Sequence, residues 1–243
     1  MNEFEKIFSK LRKRDDPRFL WINWMDWVID ANLIAVHDRK LDFHGHEQDY
    51  YKLYIAWIDI VNEHLNTTDD YYYDYLGEFF EEHLINTFNK KDDGQFFTPT
   101  DVALLMGKLT FNEKAPSGFV YDCACGSARL LLDAHRYNPS NIMIGWDYDV
   151  IASRMAVLNF YVHGIRGSIL RVNTLTGEFF EAWRINNILG YGLKIPHIEL
   201  VNQTDAYKFH GVIEDTPKRL YNSLVVNPPK QADSKQVSLE AFM

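Results

Sequence analysis

One short stretch, G-F-V-Y-D-C-A-C-G-S-A-R-L-L-L over residues 118–132, constrains the fold more than any other part of the chain. Residues 119–121 favour a buried β-strand, and the apolar residues at the end of the stretch favour a helix. Between them, residues 123–128 carry nothing larger than a thiol, so a ligand can approach the backbone closely. We predict a strand, a tight turn and a helix that Ser127 caps, with free helix N–H groups that favour an anionic ligand group.

A small-residue turn also occurs where a strand and a helix merely pack closely, so this stretch alone does not identify a ligand site. Two other motifs favour a ligand site over close packing alone. They are G-Q-F-F-T-P at residues 94–99, and N-P-P at residues 227–229 after the apolar run 223–226. In this order, with D-x-A-C-G-S-x-x-L-L-L between them, the motifs resemble the N6-adenine DNA methyltransferases. The chain is most similar to the modification subunit of type I restriction systems, over roughly residues 70–230.

The resemblance implies an α/β fold, with a Rossmann-like class I S-adenosylmethionine-dependent methyltransferase sheet preceded by an α-helical N-terminal domain. We expect the helical domain over residues 1–92 and the methyltransferase domain over residues 93–243, with an insertion at about 176–221. Because the chain ends at residue 243, soon after the N-P-P motif, the C-terminal strands of such a sheet are expected to be missing.

Apolar periodicity and breaking residues predict the elements of the first half of the chain. Helices are expected over residues 3–14, 19–36 and 49–65, and a fourth carries an apolar residue every four positions from Tyr72 to Phe88. Pro17 is expected to break the first helix.

The second half is expected to alternate strands with helices. After the first strand, we predict a second at residues 141–147, buried on both faces, a third at 168–172 and a fourth at 222–226 that leads to N-P-P. Between the third and fourth strands, a helix around residues 179–189 precedes an inserted strand or hairpin at 197–201.

The predicted cofactor is S-adenosylmethionine. Asp147, at the end of the second strand, is expected to accept hydrogen bonds from ribose hydroxyls, whereas Asp149 is an alternative that would only start the next helix. Asn173 stands where the family usually has an aspartate that receives the adenine amino group, and an amide oxygen can also accept.

In the family, the turn at residues 94–99 closes over the methionine part of the cofactor. Thr98 or Thr100 is predicted to cap a helix over residues 101–108, and a plain helix start is the alternative reading. The expected cofactor contacts are Gln95, Phe97, Thr98, Pro99, Asp122, Ala124, Cys125, Gly126, Ser127, Asp147, Tyr148 and Asn173.

The resemblance assigns catalysis to Asn227, Pro228, Pro229 and Lys230. An adenine amino group is a poor nucleophile, and acceptors for its two hydrogens, an Asn side-chain oxygen and a proline carbonyl, favour the pyramidal nitrogen that attacks. The family has an aromatic residue after N-P-P that stacks on the flipped adenine, where this chain has Lys230. The family's second turn glycine is replaced by Ala128.

The expected function is adenine-N6 methylation of DNA. A formal net charge of −9 opposes DNA, so the DNA contacts are expected from a partner, either a specificity subunit or a second methyltransferase subunit. The alternative is a catalytically silent methyltransferase-like protein that binds cofactor or restriction-system subunits and regulates them. Protein glutamine and RNA methyltransferases, which share N-P-P, remain open.

Composition predicts a cytoplasmic protein without metal. The chain is 47% hydrophobic and 24% charged, and its longest apolar-looking run, residues 19–36, contains Asp26 and Asp30, so no membrane span is expected. A charged N-terminus predicts no signal peptide. Cys123 and Cys125 would point to opposite faces of an extended segment, which argues against a disulfide or a zinc site.

Overall fold

The computed structural model describes residues 1–34, 43, 45–68, 72–88, 97–111, 116–187 and 195–208. The helices are α1 (Glu3–Leu11), α2 (Pro17–Ala31), α3 (Glu47–Thr67), α4 (Tyr75–His83), α5 (Ile85–Phe88), α6 (Thr100–Thr110), α7 (Arg129–Tyr137), α8 (Val150–Val162) and α9 (Gln203–Lys208). The strands are β1 (Phe119–Asp122), β2 (Ile142–Asp147), β3 (Gly167–Asn173), β4 (Glu178–Ile185) and β5 (Ile198–Val201).

The strands form one mixed sheet in the order β1-β2-β3-β4-β5. β1 pairs parallel with β2 and β2 pairs parallel with β3, whereas β4 pairs antiparallel with both β3 and β5. The predicted α/β class is therefore confirmed. The Rossmann-like class of the sheet stays a prediction, and the predicted fourth strand at residues 222–226 lies outside the described residues.

The helices α7 and α8 connect the parallel strands and pack against them. The carboxyl ends of β1, β2 and β3 consequently lie along the same edge of the sheet. At this edge the chain places Asp122, Asp147 and Asn173, the last residues of the three strands. The topology therefore gathers three of the predicted cofactor contacts without any further assumption.

The larger of the two hydrophobic clusters in the described residues runs through the helical N-terminal region and the sheet. Trp21, Trp24 and Trp57 from the helices belong to the same buried cluster as Phe160 of α8 and Trp183 of β4. The predicted division into domains at residues 92 and 93 stays a prediction, because those two positions lie outside the described residues.

A buried ion pair also links the helices to the sheet. Arg154 of α8 donates from Nε to Asp26 Oδ1 on α2 at 2.7 Å, and its Nη1 lies 3.1 Å from Glu181 Oε1 on β4. At the edge of the sheet, Leu33 forms a parallel bridge with Ile198 of β5. The helical region thus extends the sheet as well as packing against it.

The second helix begins earlier than the sequence pattern indicated. Asp16 Oδ1 accepts the N–H groups of Arg18 at 2.8 Å and Phe19 at 3.3 Å, and Pro17 occupies the first turn, where a missing N–H costs little. The first helix ends at Leu11, well before Pro17. Pro17 therefore lies in the first turn of α2, six residues after the end of α1.

The predicted helix around residues 179–189 is wrong, because this segment begins with the strand β4. The backbone reverses between Asn173 and Glu178, with Gly177 at φ +76°, and the aromatic segment that follows pairs antiparallel with β3. Strand pairing outweighs the local helix pattern here. The inserted strand predicted at residues 197–201 is confirmed by β5.

The expectation that the first strand is buried is also wrong for two of its side chains. Phe119 is 41% exposed and Tyr121 is 44% exposed, because β1 is the edge strand of the described sheet. The second strand is buried at Met143, Ile144 and Gly145 but only partly at its ends.

Within the described residues, no helix is both long and apolar enough to cross a lipid bilayer.

Candidate functional site

The turn after β1 is held by hydrogen bonds to the Asp122 side chain, to β2 and within its own backbone. Asp122 Oδ1 accepts the N–H of Ala124 at 3.0 Å, and Cys125 donates its N–H to the Trp146 carbonyl of β2 at 2.9 Å. Ala128 donates to the Cys125 carbonyl at 2.7 Å, which closes the turn. Because these amides already have acceptors, the turn is a preformed structure.

Gly126 and Ala128 both occupy the left-handed region of backbone conformation. Their φ angles are +56° and +71°. This region favours glycine, and an alanine there costs roughly 1–2 kcal/mol. The turn therefore keeps, at Ala128, the conformation that a glycine would adopt more easily.

Ser127 does not cap the following helix, contrary to the sequence prediction. The residue in the cap position is Ala128, which has no side-chain acceptor, and α7 begins at Arg129. The Ser127 hydroxyl instead donates to Asp74 Oδ2 at 2.6 Å. A buried carboxylate is a stronger acceptor than the competing local groups, so the hydroxyl turns away from the helix.

Asp147 is oriented by two backbone donors. Its Oδ2 accepts the N–H of Gly126 at 2.8 Å and its Oδ1 accepts the N–H of Asp149 at 2.8 Å. Burial raises the pKa of Asp147, although the hydrogen bonds from Asp149 and Gly126 oppose the rise. Asp149 caps α8 by accepting the N–H groups of Ile151 and Ala152, which confirms the prediction that it starts this helix.

Asp122 is the second carboxylate at this edge of the sheet. Burial raises its pKa, the N–H of Ala124 lowers it, and the nearby charge of Asp147 raises it. Two half-buried carboxylates that repel each other favour a ligand carrying positive charge or hydrogen-bond donors between them. Burial also raises the pKa of the Cys125 thiol well above its usual range, so this cysteine is a protonated, packed side chain.

The second half of the G-Q-F-F-T-P motif, residues 97–99, lies against the glycine turn, residues 123–128 after β1. Phe97 is buried, and a Cβ added to Gly126 would lie 2.9 Å from Phe97 Cδ1. The Thr98 carbonyl accepts a hydrogen bond from Arg129 Nη1 at 2.8 Å. The structure thus brings together two motifs that are separated by more than twenty residues in the sequence.

The predicted threonine cap is wrong. Pro99 occupies the cap position of α6, without a side-chain hydrogen bond, and the helix begins at Thr100. Arg129 engages the carbonyl of Thr98 from outside the helix, so the segment is positioned by α7 rather than by its own capping residue. Gln95 lies outside the described residues.

Tyr148 and Asn173 complete the set of predicted contacts that can be placed. Tyr148 is 60% exposed, and its ring stands edge-on to Phe180 at 5.7 Å between centroids. Asn173 Oδ1 accepts the N–H groups of Leu175 and Thr176 at 3.1 and 3.2 Å, so the amide oxygen stabilises the reversal after β3. The exposed ring of Tyr148 can contact a ligand, whereas the amide oxygen of Asn173 already binds two backbone N–H groups.

Sequence reasoning missed a buried polar network behind the turn. Arg129 donates to Asp74 Oδ2 at 2.9 Å and to Glu81 Oε2 at 3.1 Å, and Asn159 of α8 donates to Asp74 Oδ1 at 2.8 Å. One feature of the sequence indicates this network: Arg129 directly follows the small-residue turn. A long charged side chain is rarely buried at such a position unless it has buried partners of opposite charge.

The predicted catalytic residues Asn227, Pro228, Pro229 and Lys230 lie outside the described residues, so their placement relative to Asp147 stays a prediction.

In the part of the chain that the structure describes, no group of three or more His, Cys, Asp or Glu side chains is arranged to hold a metal ion. Cys123 and Cys125 are both free.

Comparisons with known proteins match a stretch of the chain that includes the described residues of this site. A family model described as N-6 DNA Methylase matches residues 71–215, which is more than half of the chain. The type I restriction enzyme MjaVIII methylase subunit of Methanocaldococcus jannaschii is 34% identical over 128 residues, covering 49% of this chain and 22% of that protein. The MjaVII methylase subunit of the same organism is 28% identical over 174 residues, covering 66% of this chain and 28% of that protein.

A third relative, the type I restriction enzyme MpnII methylase subunit of Mycoplasma pneumoniae, is 28% identical over 104 residues. That alignment covers 40% of this chain and 19% of the relative. The matched region therefore spans about a fifth to a quarter of the length of the curated relatives.

Proposed function

This chain belongs to the N-6 DNA methylase family, and from that premise we propose that it is an S-adenosylmethionine-dependent DNA adenine-N6 methyltransferase of the type I modification-subunit kind. The observation that carries the proposal is the convergence of Phe97, Gly126, Asp122 and Asp147 at one edge of the sheet. The parallel order of β1, β2 and β3 supports a Rossmann-like class I sheet.

The residues at this edge fit S-adenosylmethionine. The cofactor carries a sulfonium, an ammonium and two ribose hydroxyls, and the two carboxylates supply charge and acceptors of the matching kind. A side chain at Gly126 would collide with Phe97, so the close contact of the two motifs requires the glycine. Exposed Tyr148 offers a ring on which a purine base can stack.

Each residue has a distinct task in this proposal. Asp147 accepts from the ribose hydroxyls, Asp122 faces the positive charge, and Phe97 with Thr98 and Pro99 encloses the methionine part. The bound cofactor supplies an electrophilic methyl group on its sulfonium. By enclosing that end of the cofactor, the protein excludes water from the methyl group and fixes the direction from which the nucleophile approaches.

The nucleophile is the amino nitrogen of an adenine turned out of the duplex. We assign its two hydrogens to the Asn227 side-chain oxygen and the Pro228 carbonyl, which favour a pyramidal nitrogen without deprotonating it before attack; the methylated nitrogen then loses one of the two protons to solvent. Pro229 restricts the backbone after these acceptors. Lys230 replaces the stacking ring of the family, and base stacking is worth roughly 1–3 kcal/mol.

A DNA-reading partner completes the proposal. The formal net charge of −9 gives this chain little general attraction for a polyanion, and Lys230 supplies one positive charge where the family supplies stacking. The three relatives are named as methylase subunits of type I restriction enzymes. We therefore propose that a specificity subunit, or a second methyltransferase subunit, brings the DNA.

The test is transfer of a tritiated methyl group to mixed-sequence DNA, with and without a specificity subunit of a type I restriction system. We expect little or no transfer by the chain alone, transfer when the partner is added, and loss of that transfer in Asn227→Ala. Asn227-dependent transfer by the isolated chain would contradict the proposed need for a partner. Transfer that survives Asn227→Ala would contradict the assigned chemistry.

Two departures from the family pattern, Ala128 and Lys230, favour a second candidate: a catalytically silent homologue that binds cofactor and regulates restriction subunits. The variant Lys230→Tyr separates the two candidates. In the enzyme, a restored ring should increase methyl transfer in the presence of the partner. In a silent regulator, neither the partner nor Lys230→Tyr yields N6-methyladenine.

A further inference from the structure

We propose that Asp74 is a positioning residue for the glycine turn, through which the helical N-terminal region sets the geometry of that turn and of the G-Q-F-F-T-P motif, the two motifs proposed to enclose S-adenosylmethionine. The inference rests on the proposed function for its ligand and on described contacts for its geometry. Asp74 lies directly before α4, and the residue is 6% exposed. It touches neither β1 nor β2 within the described contacts, so any influence on the ligand must act through other residues.

Asp74 accepts four hydrogen bonds from four different parts of the fold. Its Oδ1 accepts the N–H of Gly77 at 2.9 Å and the Asn159 side-chain amide at 2.8 Å. Its Oδ2 accepts the Ser127 hydroxyl at 2.6 Å and Arg129 Nε at 2.9 Å. One carboxylate therefore joins α4, α8, the glycine turn and the first residue of α7.

Ser127 is held on both sides by this network. Its hydroxyl donates to Asp74, and its carbonyl accepts from Asn159 Nδ2 at 2.8 Å. Since Asn159 also donates to Asp74, the orientation of its amide is coupled to the same carboxylate. Ser127 directly follows Gly126, whose N–H bonds to Asp147, so a shift of Ser127 would move the turn relative to the ribose-binding carboxylate.

Arg129 connects Asp74 to the G-Q-F-F-T-P motif through hydrogen bonds to both. Its guanidinium donates to Asp74, Glu81 and the Thr98 carbonyl, and it stands over the Phe97 ring at 6.0 Å from the centroid. A planar group with donors in a fixed fork transmits orientation between its partners better than a flexible ammonium does. Asp74 thus fixes Arg129, and Arg129 fixes the Phe97–Thr98 segment against the turn.

The chain contains a matched control for this network. Asp26 and Arg154 form a second buried aspartate–arginine pair that also links the helical region to α8, at 2.7 Å, with Asp26 at 6% exposure. The described contacts of this pair do not include the glycine turn or the Phe97–Pro99 segment. Asp26→Asn therefore reports the stability cost of breaking a buried pair, without the proposed positioning effect.

The first readout is affinity for S-adenosylhomocysteine, measured by calorimetry on folded protein. Asp74→Asn is expected to raise the dissociation constant tenfold or more, whereas Asp26→Asn changes it less than twofold at a comparable loss of thermal stability. Arg129→Lys should behave like Asp74→Asn, because the three acceptors bond to three different nitrogens of the guanidinium and one compact ammonium cannot reach them all. Equal effects of Asp74→Asn and Asp26→Asn would overturn the proposal.

Two milder variants keep the test informative if Asp74→Asn does not fold. Ser127→Ala removes one hydroxyl, and Gly77→Ala places a Cβ 2.2 Å from Asp74 Oδ2, which displaces the carboxylate from outside the site. Each is expected to weaken binding at least threefold. Unchanged affinity in both variants would overturn the proposal.

The second readout does not depend on the ligand. Hydrogen exchange of the Cys125, Gly126 and Ala128 amides, all bonded within the site, should be faster in Asp74→Asn than in Asp26→Asn. Equal exchange in the two variants would contradict the positioning role. Absence of ligand binding by the wild-type chain, with the exchange difference intact, would instead contradict the proposed function.

Discussion

The backbone N–H of Gly126 lies 2.8 Å from Asp147 Oδ2, so the turn after β1 and the carboxyl end of β2 form one hydrogen-bonded unit. The same carboxylate accepts a second backbone N–H, from Asp149, on its other oxygen. A carboxylate has about four acceptor positions, so these bonds orient Asp147 and leave capacity for a ligand. The acidic group is therefore positioned before any cofactor arrives.

Replacing Asp147 with alanine should weaken cofactor binding more than it weakens the fold. Hydrogen bonds to charged groups are worth about 1.5–3 kcal/mol, which corresponds to a rise of about 10- to 100-fold in the dissociation constant. Calorimetric titration with S-adenosylhomocysteine measures this change. Asp149→Ala is the matched control: it removes the cap of α8, costs about 1 kcal/mol of stability, and leaves affinity within about threefold of wild type.

Adding a methyl group at Gly126 should separate the two motifs. Gly126→Ala places an L-residue in the left-handed region and a Cβ 2.9 Å from Phe97 Cδ1, so we expect a stability loss of about 1–3 kcal/mol and weaker cofactor binding. Denaturant unfolding and calorimetry measure the two effects. Ala128→Gly is the control, because strain relief and lost burial nearly cancel there, to within about 1 kcal/mol.

Much of the site could be predicted because its residues stand at the ends of strands. The pattern of residues 118–132 predicted a strand, turn and helix, and Asp147 follows from an acidic residue at the end of an apolar strand. Both features depend on local sequence alone. The edge of the sheet where they meet then follows from parallel pairing of β1 and β2.

The errors arose where distant residues compete with local preference. Ser127 has the composition of a helix cap, yet its hydroxyl bonds to Asp74, fifty-three positions earlier in the chain. The segment of β4 has a pattern compatible with a helix, yet it pairs with β3 across the reversal at Gly177. No local pattern specifies a hydrogen-bond partner fifty-three positions away, and pairing with the adjacent strand outweighs the helix pattern of β4, so capping and strand pairing were the least predictable features.

Acidification should destabilise the protein through His135, which is buried, and His163, which is half-buried. Burial lowers the pKa of His135 and of His163 to about 4, against about 6.5 in an unfolded chain. The folded state binds these protons less readily, so the stabilisation is complete above about pH 6.5 and is lost as the pH falls towards 4. We expect a loss of about 2 kcal/mol per histidine between pH 7 and pH 5.

Urea unfolding at pH 7 and pH 5 measures this dependence. The double variant His135→Gln and His163→Gln should show a smaller difference between the two pH values than wild type does, and each single variant should lie between them. Subtracting the double variant from wild type removes the contribution of the carboxylates. An identical pH dependence in wild type and the double variant would contradict the assignment.

The helical region and the sheet should unfold together, because one buried cluster runs through both. We expect a single urea transition, with coincident curves from far-ultraviolet circular dichroism and tryptophan fluorescence. Asp26→Asn, which removes the negative charge that Arg154 faces on α2, should shift both curves equally and cost about 3 kcal/mol. Two separated transitions would show instead that the helical region is an independent unit.

Binding of S-adenosylhomocysteine to the purified chain, measured by isothermal titration calorimetry, tests the central claim most directly. The preformed unit of Gly126 and Asp147, together with Asp122 and the Phe97–Pro99 segment, predicts one site with a dissociation constant in the micromolar range, about −7 to −8 kcal/mol. The same titration of Asp147→Ala should give a much weaker signal. No heat from wild-type protein whose folding is confirmed by circular dichroism would contradict the account.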